Sequence, residues 1–195
     1  MQIDNISFND ISIFHQEEEF SIFHKLNFTR TIGGKNWLKK FFSEPHNDIK
    51  KIIGTQKVIR TLIEHVDDWP TDITNGTMLV MDKFLDYSLD PIGDNNSSFN
   101  SLLYKWLHSE DYSMVKYSMT HFADFFRGLK KIGLLLNDLD LPAHIRIYTE
   151  RINKILKEPA LNELSDTSKV DKISIRQNLY YGNLLRNKYR LNTLE

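Results

Sequence analysis

The chain has 195 residues, with 41% hydrophobic, 12% aromatic and 26% charged side chains. That composition supports a sizeable core and excludes a disordered chain. The net charge of -1 and a pI near 6.7 give no whole-chain case for nucleic-acid binding, and the absence of cysteine excludes disulfides and thiolate metal sites. No apolar run approaches the roughly 20 residues that span a bilayer. Met1–Phe14 shows neither a basic n-region nor an apolar h-region. A cytoplasmic protein without membrane contact is expected.

In chain order, residues 2–14 alternate loosely through Ile3, Ile6, Phe8, Ile11 and Ile13, which predicts an extended arm over 1–14. His15–Glu19 reads as a polar turn, followed by a short helix with Phe20, Phe23 and Leu26 facing inward. A helix is predicted over about 31–43, with Gly34, Trp37, Leu38, Phe41 and Phe42 on one face. Pro45 ends it, because the residue before a proline is pushed out of the α region. Asn47 or Asp48 then caps a helix over about 48–66 that carries Ile49, Ile52, Ile53, Ile59, Leu62, Ile63 and Val66.

Trp69-Pro70 marks a break, and a helix over about 73–88 carries Leu79, Met81, Phe84 and Leu85. The loop 90–96 is dense in turn formers. Ser97 or Ser98 caps the next helix, whose Phe99, Leu102, Leu103, Trp106 and Leu107 recur at i, i+3, i+4. The longest helix, about 111–138, repeats Tyr112, Val115, Met119, Phe122, Phe126, Leu129, Gly133 and Leu136 at alternating three and four. This is the seam of a central bundle helix. Pro142 restarts the chain with Ile145, Tyr148, Ile152, Ile155 and Leu156 inward, and Pro159 stops that helix before a turn at Leu161–Leu164. A last helix over about 172–190 holds Ile175, Leu179, Gly182, Leu185 and Tyr189. The expected fold is all-α, one bundle of about seven or eight helices over 15–195 behind the extended arm.

Chemistry is sparse in this pattern. Gly33-Gly34-Lys35 is not a P-loop, since Thr29 stands where the first glycine belongs and Asn36 follows the lysine. His15, Glu17, Glu18, Glu19 and His24 lie close in sequence, but a solvated acidic turn explains them better than a metal site. No strand-turn-helix elbow offers a nucleophile. The residues thus assign no catalytic, cofactor-binding or metal-ligating set. Lys35, Lys39, Lys40, Lys50, Lys51 and the basic tail are candidates for phosphate contacts, with a solvated helix face as the simpler reading. Trp37, Phe41, Phe42 and Trp106 fall on helix seams and read as core rather than as a base-stacking platform.

One stretch says more. The run Leu26-x-x-Thr29-Arg30-Thr31-x-x-Gly34-x-x-x-Leu38-x-x-Phe41-Phe42-x-x-Pro45-x-x-Asp48-Ile49, continuing to Gln56-x-Val58-Ile59, resembles the start of the core (lever) domain of MutS-family mismatch-repair proteins. Its residues Thr29, Thr31, Gly34, Leu38, Pro45 and Asp48 have architectural roles. A threonine caps the helix, Gly34 admits a closely packed helix, and Pro45 and Asp48 set a corner. The resemblance covers about residues 8–63. It implies a helical domain that links a C-terminal ATPase, with its ATP and magnesium, to DNA-binding elements. It also implies homodimers formed through that ATPase. The chain departs from the pattern at Asn36 and Thr55, where the family usually has basic residues, and neither the Walker ATPase nor the N-terminal mismatch-reading domain with its Phe-x-Glu is expected in it. ATP hydrolysis is therefore not expected of these 195 residues, and DNA binding is expected to be weak or absent. The alternative is a helical protein–protein interaction module unrelated to DNA repair. A third, an all-helical enzyme, needs converging carboxylates or histidines.

Overall fold

A computed structural model describes residues 12–88, 97–137, 141–166 and 173–189. Among these residues the chain is all-α. The helices are α1 (Ile22–Leu26), α2 (Ile32–Ser43), α3 (Ile49–Glu64), α4 (Asn75–Asp86), α5 (Ser98–Leu107), α6 (Ser109–Asn137), α7 (Ala143–Leu156), α8 (Pro159–Asp166) and α9 (Ile175–Tyr189). Short 3-10 turns occupy Glu18–Phe20 and Val66–Asp68, and no strand occurs among the described residues. The helix beyond the expected number is α8. Pro159 ends α7 and also opens α8, where its missing N–H costs nothing. Contacts group the chain into two compact units, Met1–Val66 with Asp140–Arg146, and Asp67–Leu139 with Ile147–Glu195.

In the first unit, most of the arm expected over 1–14 lies outside the described residues. Its last residues, Ser12–Phe14, form a turn rather than extended chain, with Ser12 in the left-handed region at φ 51°. That turn is stitched to the chain ahead. The Ile22 and Phe23 amides donate to the Ser12 and Ile13 carbonyls, both at 3.0 Å, and the Ser21 hydroxyl donates to Ile13. Ser21 also caps α1 by accepting from the His24 amide. Of the three residues expected to point inward here, only Phe23 is buried, while Phe20 and Leu26 are exposed. Five residues make little more than one turn, so a single position meets the core. The aromatic rings of Phe14, Phe23 and Phe42 pack in series, 5.4 and 6.2 Å apart.

The second unit is built on α6, whose 29 residues span about 43 Å at the usual rise. Its buried face comprises Tyr112, Val115, Met119, Phe122, Phe126 and Leu136, the expected seam. Helices α4, α8 and α9 pack along it, and α5 packs on α6 and α9. Met119, Phe84, Leu161, Leu164, Leu179 and Leu185 are inaccessible to solvent and close this core. Tyr181 is buried beside Glu163; burial first, then that carboxylate, holds its phenol protonated well above the ordinary range. Surface pairs such as Lys130–Asp166 (2.5 Å) and the half-exposed Arg127–Asp124 (2.8 Å) add little stability, being open to solvent screening.

Candidate functional site

The threonine–glycine–proline stretch folds as a set of caps and corners. Thr31, with extended backbone, accepts the Gly34 amide on its hydroxyl at 3.0 Å and so starts α2. Thr29 does not cap; its hydroxyl donates to Asn27 Oδ1 at 2.6 Å in the turn before. Gly34 also differs from expectation. A Cβ there would meet Thr31 Oγ1 at 3.0 Å and Thr29 Cβ at 3.4 Å, so the close neighbour is the threonine turn and not another helix. Leu38 and Phe42 are half-buried on the inner side of α2. The chain leaves α2 at Glu44, passes Pro45, and enters α3 where Asp48 Oδ1 accepts the Lys50 amide at 2.8 Å.

The lysines of α2 do not form one patch. Lys35 and Lys39 are a turn apart on one flank, and Lys39 Nζ stands 5.7 Å from the Phe14 ring. Lys40 is turned about 100° away and lies over the Trp37 ring at 5.9 Å. These are cation–π contacts on an open surface, each of order 0.5–1 kcal/mol.

A more concentrated site lies where the beginning of α7 meets α3, within the first unit. A cavity of about 390 Å³ is lined by Lys50, Lys51, Gly54, Lys57, Pro142 and His144 among others. Gly54 makes it: a Cβ there would come within 2.5 Å of Pro142 Cγ, so the residue must lack one. Beside it, Thr55 Oγ1 is 3.1 Å from His144 Nε2, and His144 meets His46 edge-on at 5.3 Å, which in turn meets Phe41 at 5.6 Å. Burial, reinforced by His46 and Lys51, holds the His144 imidazole below its ordinary pKa, with Asp48 opposing. The ammonium groups of Lys50, Lys51 and Lys57 give this cavity a positive edge that suits an anionic group. Thr55, which stands where the resemblance leads one to expect a base, here positions His144. Sequence reasoning named Lys50 and Lys51 but missed His46 and His144. Position 144 lies 89 residues beyond Thr55, and no local pattern joins them. In the second unit a groove of about 480 Å³ runs along α6 between Lys105 and Lys116, lined by the hydroxyls of Ser109, Ser113 and Thr120.

Several residues expected in the core are outside it. Trp37, Phe41 and Trp106 are exposed, and Phe42 is only half-buried. Helix α3 turns Gly54, Thr55, Val58 and Leu62 inward and leaves Ile49, Ile53, Ile59 and Ile63 exposed. Helix α5 does the same, burying Ser101 and Tyr104. Each helix is amphipathic as expected, yet its richer apolar side faces solvent. The inner sides hold Gly54, Thr55, Val58 and Leu62 on α3 and Ser101 and Tyr104 on α5.

Among the described residues no group of three or more His, Asp or Glu is placed to hold a metal ion, and no helix is long and apolar enough to cross a membrane. No protein-family model, curated protein or solved structure matches the chain.

Proposed function

We propose that this chain is the helical core, or lever, of a MutS-like DNA-repair protein, which couples nucleotide-driven movement of an ATPase to DNA-binding elements. The observation that carries the reading is the Thr31–Gly34 cap followed by the Pro45–Asp48 corner. The residues of the resemblance hold helix ends and a helix-to-helix corner, as a part that transmits motion requires. A lever must also dock other bodies, and the exposed isoleucines of α3 support that role. On this reading ATP and magnesium belong to the parent's ATPase, through which the parent pairs, and this chain hydrolyses no ATP.

DNA contact comes chiefly through the parent. The chain's net charge is -1, and the α2 lysines are spread over two flanks. Duplex DNA should therefore not be retained by the chain alone at low micromolar concentration; a salt-sensitive micromolar complex would overturn this. The deciding experiment on the family reading is the gene sequence following the codon for Glu195, with ATP turnover measured on its product. An ATPase whose DNA-stimulated turnover drops on Thr31→Ala, with basal turnover kept, supports coupling. A reading frame without any nucleotide-binding ATPase ends the proposal.

The second reading, a helical interaction module unconnected with repair, is favoured by one observation, the exposed aromatic face of α5. It predicts partner binding that neither DNA nor ATP changes.

A further inference from the structure

Helix α5 is inverted relative to its own composition. Ser101, 1% exposed, and Tyr104 face the interior of the second unit, to which α5 belongs, with the Ser101 hydroxyl donating to the Ser97 carbonyl and the Tyr104 ring stacked on His108. On the opposite side Phe99 is 74% and Trp106 78% exposed, with Leu102, Leu103 and Leu107 beside them. Stepping 100° per residue, Phe99, Leu102, Leu103 and Trp106 share one outward face centred opposite Ser101 and Tyr104.

We propose that a second copy of this chain covers that face, the two α5 helices pairing antiparallel about a twofold axis. The proposal does not depend on the family reading. Three observations select this occupant. First, the spacing is self-complementary. Phe99 and Trp106 are equidistant from the midpoint of Leu102–Leu103, so an antiparallel partner centred there sets Phe99 over the second copy's Trp106 and Trp106 over its Phe99. The two leucines of each copy meet at the axis. Second, charge permits it. Helix α5 carries no acidic residue and a single base, Lys105, whose ammonium is turned aside over the Tyr112 ring at 5.4 Å. Pairing with itself buries no charge, whereas a charged partner surface would be desolvated here without a counter-ion. Third, the area is that of a weak pair. The four side chains of this face offer on the order of 500 Å² per copy, so a pair removes at most about 1,000 Å², just under the lower edge of stable specific interfaces. The dimer is accordingly weak.

The test is sedimentation equilibrium of the 195-residue chain from about 2 to about 200 µM, with a cysteine probe alongside. The chain should show a monomer–dimer equilibrium whose dissociation constant rises at least tenfold on Trp106→Glu. The helical circular dichroism of that variant should be unchanged, since Trp106 touches solvent. Because the chain has no cysteine, Leu103→Cys should oxidise to one covalent dimer while Asn100→Cys, on the helix flank, should not. If Trp106→Glu does not fold, Phe99→Glu and the cysteine pair decide. A monomer at the highest concentration overturns the proposal and leaves the face to an apolar helix of another protein. Association that survives both glutamate variants, or equal cross-linking from Asn100→Cys, also overturns it.

Discussion

Glycine at 33 and glycine at 54 are interchangeable in composition and opposite in consequence. A Cβ at Gly33 meets nothing within 4 Å, so Gly33→Ala should stabilise α2 by about 0.5 kcal/mol through helix propensity. At Gly54 the added atom would lie 2.5 Å from Pro142 Cγ, and Gly54→Ala should cost about 1–3 kcal/mol. Urea midpoints of the two variants check both signs. Thr31→Ala removes the acceptor for the Gly34 amide and should cost ~1 kcal/mol, a loss that Thr31→Ser recovers. His144 sets a pH dependence. Its folded pKa is held below the unfolded value of about 6.5, so between the two the unfolded chain binds more protons. Stability is then full above about pH 6.5 and falls as the pH drops through that window. His144→Gln should show a smaller drop in urea midpoint between pH 7.5 and 5.5 than the native chain.

Helix α6 and helix α5 show how far periodicity reaches. For α6 the alternating three-and-four pattern named the buried face, because that helix is the centre of its unit and has neighbours along most of its length. Met119 is wholly buried there, and Met119→Ala should cost about 2–5 kcal/mol in thermal or urea unfolding. For α3 and α5 the same kind of pattern is present, but the packed side is the poorer one. A period records that two sides of a helix differ. It does not record which side its neighbours occupy. Three caps were legible as one of two neighbouring candidates for a related reason: Thr31, Asp48 and Ser97 each bond an amide only two or three residues ahead, so the whole interaction sits within one short window, whereas the Ser21 cap was not foreseen.

Over the molecule as a whole, charge and apolar surface are distributed in ways composition conceals. A net charge of -1 coexists with a cavity edged by Lys50, Lys51 and Lys57, and a chain with 41% hydrophobic residues leaves Trp37, Phe41, Trp106 and the α3 isoleucines in solvent. A native-state apolar dye should therefore fluoresce with the folded chain, and Ile53→Lys with Ile63→Lys should lower the signal without lowering the unfolding midpoint, since neither residue is packed. Read alone, the residues sufficed for the all-α class, nearly every helix boundary, a short choice of cap residues at three helices and the face of α6. These depend on bonds and periods local to the chain. The division into two units, the outward turn of α3 and α5, the threonine turn that closes on Gly34, and the meeting of His46, Thr55 and His144 came from the folded structure. Each depends on residues distant in sequence, where no local pattern indicates what will lie alongside.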